Sequence, residues 1–187
     1  LLDPQAFPEA YDDLKSHLLA NRTLKDYQFG HRLLESFEND TARNPFTRDV
    51  RLAMLTSYTV DFLLPLLRTD LMLSDVRTAV YKPHFNQFRQ EILDPASGLY
   101  KFQPTETVLA FNLEDIAEDP LELFETLAKT FRANAPANAV LLMQDLITPA
   151  HAFDPLVRTE GSVRGAVERA NTGLREIAAR YPNTYVM

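Results

Sequence analysis

Apolar residues recur along this chain in two rhythms, and the change between them divides it. Tyr11, Leu14, Leu18 and Leu19, then Tyr27, Leu33, Leu34 and Phe37, fall at the three-and-four spacing of a helix that buries one stripe. Two leading helices are therefore predicted within residues 1–45, closed by the polar stretch from Thr41 to Pro45. After that break, short apolar runs alternate with longer amphipathic ones. Val50–Leu55, Val76–Tyr81, Thr107–Phe111 and Ala139–Met143 read as buried strands, and Asn183–Met187 begins another. Between them, Val60–Leu73, Asn86–Leu93, a segment from Asp119-Pro120 to about Ala133, and Ser162–Arg180 read as helices. Pro120 suits the first position of a helix, Pro65 is expected to kink the one it sits in, and Asp94-Pro95 stops the short one.

Strand and helix alternating in this way predict an α/β fold: a three-layer sandwich over residues 46–187 with a mostly parallel, doubly wound sheet, preceded by the two helices. A last strand that breaks off at Met187 reads as a domain truncated at its C-terminal end. Ligands of such sheets gather at the carboxyl ends of the strands, so the positions of interest are Thr56–Thr59, Lys82–Gln87, Asn112–Asp115 and Gln144–Thr148.

Composition narrows the chemistry. With 187 residues, 45% hydrophobic and 24% charged, the chain has enough material for a real core. Its net charge of −7 argues against a broad nucleic-acid surface. No apolar run approaches a membrane span. The absence of cysteine removes disulfides, thiolate metal sites and cysteine nucleophiles, and fits a reducing, cytoplasmic setting. The five glycines are scattered and form no phosphate loop, so nucleotide binding is not expected and no cofactor is implied. His17, His31, His84 and His151 share no metal-ligand spacing, and no metal site is expected. His84 and His151 follow strands and could approach a pocket.

Three places carry candidate chemistry. Ser57 follows the first strand, where its hydroxyl would stand at the sheet mouth beside a helix start; it is either a nucleophile or, with Thr56, a helix cap. Asn112 ends the third strand and is either an oxyanion donor to Ser57 or a turn residue bonding its own backbone. The third is the run Phe85-Asn86-Gln87-Phe88-Arg89-Gln90-Glu91-Ile92-Leu93-Asp94-Pro95-Ala96-Ser97-Gly98-Leu99-Tyr100, unusually rich in amides and charges for a connector. There Arg89 either binds an anion or pairs with Glu91 or Asp94, while Asn86, Gln87 and, nearer the first strand, Thr59 are candidate substrate contacts. Asp145 could orient a base or cap a turn.

Ser57-x-Thr59 after the first strand, followed by Asn112 after the third, resembles the block pattern of SGNH-type hydrolases. The Gly-Asp-Ser of that group is here Leu55-Thr56-Ser57, its Gly-x-Asn-Asp is Ala110-Phe111-Asn112-Leu113, and its Asp-x-x-His would fall beyond Met187. The run from Phe85 to Tyr100, together with Val50–Leu67 and Val108–Asp115, resembles the amino-terminal region of FkbH-like proteins. That resemblance implies an SGNH-like domain preceding a haloacid-dehalogenase-type phosphatase domain, in a protein that takes a glyceryl group from a phosphorylated glycerate. The group is loaded as a thioester onto an acyl carrier protein for polyketide assembly. The phosphatase Asp-x-Asp-x-Thr is absent here. The resemblance therefore implies a non-hydrolytic accessory domain with the carrier protein and the phosphatase domain as partners. Its alternatives are a Ser57-dependent acyl or glyceryl transferase or thioesterase, and a purely structural or dimerisation domain in which the leading helices cover a partner.

Overall fold

The structure, a computed structural model, describes residues 7–38, 46–115, 119–148 and 162–187. The leading segment forms helices α1 (Phe7–Ala20) and α2 (Leu24–Glu38). Strand and helix then alternate as β1 (Arg48–Thr56), α3 (Leu63–Leu73), β2 (Val76–Tyr81), α4 (Phe88–Leu93), α5 (Gly98–Phe102), β3 (Glu106–Ala110), α6 (Pro120–Asn134), β4 (Val140–Met143), α7 (Val163–Arg180) and β5 (Thr184–Val186). The five strands make one all-parallel sheet in the order β2-β1-β3-β4-β5, consistent with the expected three-layer sandwich. The order changes direction between β1 and β3, the place where doubly wound sheets open a crevice at their carboxyl edge.

The elements follow from local chemistry. Leu52 to Thr56 of β1 are all buried, as a central parallel strand covered on both faces requires. At the start of α6, Pro120 occupies the first turn and the Asp119 carboxylate accepts the N–H groups of Leu121 (2.7 Å) and Glu122 (3.3 Å). Ser162 caps α7 by accepting the Gly165 N–H at 3.0 Å. Three expectations are corrected. α3 starts at Leu63, so Pro65 lies in its first turn, where a missing N–H breaks no helical bond and no kink is needed. Leu19 is 49% exposed, not part of the buried stripe. Residues 98–102, which the apolar pattern leaves outside every predicted element, form α5, which is too short to show a helical rhythm.

The chain packs as two compact units. One holds the described residues up to Val50 with Val60–Ala79; the other holds Arg51–Thr59 and the described residues from Val80 to Met187. In the first, Tyr11, Leu14 and Leu18 of α1 pack with Met72 and Leu73 of α3. Lys15 binds the Asp75 carboxylate at 2.7 Å, and the Tyr11 hydroxyl donates to the Met72 carbonyl at 3.1 Å. Gly30 is placed for close approach, since a Cβ there would meet Leu18 at 2.8 Å.

In the second unit the core surrounds β3 and β4, with Leu109, Leu141 and Met143 fully buried among Phe88, Phe124, Phe131 and Leu174. A column of rings runs through it: Phe88 on Phe111 at 5.0 Å, and Phe111 on Phe124 at 4.8 Å between centroids. Phe111 is the residue immediately before Asn112, so the column props the first residues beyond β3.

Candidate functional site

Parallel register brings the ends of β1, β3 and β4 level. Thr56 stands opposite Ala110, and Leu109 opposite Met143. The ladder continues past the strands, with the Ser57 N–H donating to the Ala110 carbonyl at 3.1 Å and the Gln144 N–H to the Leu109 carbonyl at 2.9 Å. This extension fixes Ser57, Asn112 and Gln144 as neighbours at one edge of the sheet.

Ser57 is buried at 2% exposure, and its hydroxyl is engaged on both sides. It donates to Asp115 Oδ2 at 2.5 Å and accepts the Asn112 N–H at 3.1 Å. Neither a helix cap nor an unengaged hydroxyl describes it, because α3 begins six positions on and the Leu63 and Leu64 N–H groups are accepted by Val60. Ser57 is a staple that ties the loop after β3 to the end of β1. The Asn112 backbone, not its side chain, meets Ser57; its carbonyl accepts the Asp115 N–H at 3.1 Å and closes a 3-10 turn over Leu113–Asp115. The Asn112 side chain is exposed and makes no hydrogen bond among the described residues.

Two groups at this edge played no assigned part in the sequence reading. The Tyr58 hydroxyl donates to Gln144 Oε1 at 2.6 Å, so the pair spans from the end of β1 to the end of β4 across the end of β3. Thr56 Oγ1 donates to the Tyr58 carbonyl at 2.6 Å and fixes the turn that presents the ring. Burial pushes the Tyr58 hydroxyl above the ordinary phenol range, and the Gln144 amide pulls part of the way back. Gln144 fell within the stretch singled out after the fourth strand; its partnership with Tyr58 depends on sheet order, which one strand's residues do not carry.

The polar run from Phe85 to Tyr100 folds mostly upon itself. Glu91 Oε2 accepts both the Tyr81 hydroxyl and the Leu99 N–H at 2.8 Å, Ser97 Oγ donates to the Glu91 carbonyl at 2.7 Å, and the Tyr100 hydroxyl donates to the Ile92 carbonyl at 2.7 Å. Asp94 Oδ1 accepts the Ala96 N–H at 2.8 Å. Gly98 is required because a Cβ would come within 2.2 Å of the Tyr81 hydroxyl. Burial, then the Glu91 carboxylate, drive the Tyr81 hydroxyl upward, and burial pushes Tyr100 up to about 12.

Asn86 and Gln87 precede α4 on an exposed turn where the Gln87 N–H bonds the His84 carbonyl at 3.2 Å. Asn86 adopts φ 57°, a conformation Asn tolerates. Neither side chain is hydrogen-bonded to Ser57 or Asn112, so the structure joins Ser57 with Asn112 and leaves Asn86 and Gln87 on another loop. Arg89 lies over the Phe88 ring, 5.5 Å from its centroid. Thr59 is exposed, as is His84. Asp145 pairs with Arg175 of α7. His151 lies outside the described residues, and among them no cluster of three or more metal-binding side chains occurs.

A serine acts as a nucleophile when a base takes its proton, and imidazole suits that task far better than a carboxylate at neutral pH. Among the described residues Ser57 has a carboxylate acceptor and no histidine. What the edge does offer is hydrogen-bonding capacity: the Asn112 side chain, and the Gln144 amide nitrogen held in place through Tyr58.

No protein-family model matches the chain, and no curated protein matches it. One solved structure that resembles it is the N-terminal part of the protein BF1531 from Bacteroides fragilis, described as containing a phosphatase domain complexed with Mg. The TM-score is 0.65 at 17% identity, over 88% of this chain and 44% of the other, so this chain spans less than half of that one. At that identity the likeness establishes a shared α/β fold. No helix among the described residues is long and apolar enough to cross a membrane.

Proposed function

We propose that the chain is a non-hydrolytic accessory domain of an FkbH-type protein. In this reading the domain holds an acyl carrier protein, or the phosphopantetheine-linked glyceryl cargo of that carrier, at the edge formed by the ends of β1, β3 and β4. A haloacid-dehalogenase-type phosphatase domain is the second partner, in polyketide assembly. The run from Phe85 to Tyr100 supports the family, and the fold shared with a phosphatase-containing protein is compatible with it. The single observation that favours holding over hydrolysis is the engaged Ser57 hydroxyl: buried, donating to Asp115 and accepting the Asn112 N–H, it is occupied as a staple.

The test mixes the protein with a carrier protein bearing a glyceryl thioester. Backbone amide shifts at Tyr58, Asn112 and Gln144 are expected on titration, with no glycerate released above background by the wild type or by Ser57→Ala. Turnover by the wild type that is abolished in a folded Ser57→Ala protein would establish the transferase or thioesterase instead. An absence of both binding and turnover would leave the purely structural or dimerisation role.

A further inference from the structure

The loops that leave β1, β3 and β4 differ from a typical anion site in one respect: their charge. Residues 57–59, 111–115 and 144–148 contain Glu114, Asp115 and Asp145 and no lysine or arginine. Of those carboxylates, Asp145 is paired with Arg175 of α7. Phosphate or carboxylate docking against these three stretches would meet like charge that their own residues do not offset. The edge also has a built-in amide donor. Gln144 Oε1 is held by the Tyr58 hydroxyl at 2.6 Å, which fixes the plane of the carboxamide, and no described residue bonds its Nε2. One strand over, the Asn112 carboxamide is exposed and likewise unengaged among the described residues. Two carboxamides on the ends of neighbouring strands suit an uncharged ligand with carbonyl oxygens to accept and N–H groups to donate.

Resting on the reading above, we infer that Gln144 is a ligand-binding residue, that Tyr58 positions it, and that the two, with Asn112, take an uncharged amide- or ester-type carbonyl compound and refuse free anions. Nucleophilic attack plays no part in it, so Ser57 and Asp115 retain their stapling role. Tyr58 acts through Gln144: without its hydroxyl the carboxamide would rotate freely and lose the orientation that makes it selective.

The experiment titrates the protein with pantetheine, which carries two amides and no charge, and separately with inorganic phosphate. Side-chain NH₂ resonances of Gln144 and Asn112 are followed by NMR. Pantetheine is expected to shift both, and phosphate neither. Gln144→Leu should weaken pantetheine binding about tenfold, the loss of roughly one directed hydrogen bond. Tyr58→Phe should weaken it about threefold while broadening the Gln144 NH₂ signal in the free protein, a change that simple loss of packing would not confine to that group. Equal binding of pantetheine by wild type and Gln144→Leu, saturation by phosphate, or no pantetheine binding at all would each overturn the inference. Carrier-protein binding that persists undiminished in Gln144→Leu would overturn it while leaving the accessory role intact. Pantetheine binding at Gln144 without any carrier binding would do the reverse.

Discussion

Two regions of the second unit are rich in polar side chains, and the groups at their centres are used in opposite ways. In the segment from Tyr81 to Tyr100, hydroxyl, carboxylate and backbone groups close on one another, with Glu91 at the centre holding Tyr81 and Leu99. At the sheet edge, Ser57 is closed in the same manner, yet Gln144 and Asn112 keep donors that no described residue satisfies. The lesson is that the number of polar residues in a stretch says little about a site. What matters is how many of their donors and acceptors remain after the protein has bonded itself, since a bonded group must break a contact before it serves a ligand.

The sharpest way to break that contrast is to remove the centre of the first region. Glu91→Ala leaves the Tyr81 hydroxyl and the Leu99 N–H without their acceptor, and should cost about 3 kcal/mol in urea unfolding. Glu91→Gln, which keeps an oxygen, should cost clearly less. A Glu91→Ala protein as stable as wild type but unable to bind carrier protein would move the site to this segment. Next in size, Gly98→Ala forces a methyl against the Tyr81 ring and should cost about 2 kcal/mol, seen in the same unfolding curves. Ser57→Ala removes one buried staple and should cost about 1 kcal/mol, with faster hydrogen exchange at the Asn112 amide as the local signature.

Alkali provides a gentler probe. The raised phenols of Tyr58, Tyr81 and Tyr100 ionise less readily folded than unfolded, so the stability they confer is complete below about pH 10 and declines as pH climbs through the folded values, about 12 for Tyr100. Absorbance at the tyrosinate band should show a class titrating above the ordinary range, and Tyr100→Phe should shrink it. Smallest of all, Gln87→Ala touches an exposed side chain without a bond, and should change stability by less than about 0.5 kcal/mol and carrier binding not at all. A selective loss of binding in that variant would return the exposed loop to candidacy.

The scaffold was legible because its signals are local. Strands announced themselves as short apolar runs, α6 by Asp119-Pro120, and α7 by Ser162 with an apolar stripe behind it. α5 escaped because five residues hold barely one turn and its first turn is anchored to Glu91, seven residues before its start, and by the buried Leu99. The meeting of Ser57 and Asn112 was legible for a topological reason, since both end strands that the fold places side by side. The mode of meeting was not: whether a backbone N–H or a side-chain amide faces the serine depends on the 3-10 turn at Leu113–Asp115. The Tyr58–Gln144 pair lay further out of reach, because it joins two strands with a third between them.

The ring column beneath the sheet edge carries a consequence for anyone wishing to alter what the protein accepts. Phe111 is clasped between Phe88 and Phe124, and its carbonyl carbon leads directly into Asn112. The stacked rings therefore support that asparagine from below, beside the hydrogen bonds that tie its backbone to Ser57 and Asp115. Trading Phe88 or Phe124 for an aliphatic residue would remove a prop from below, and so shift Asn112 while every polar group at the sheet edge keeps its chemical identity.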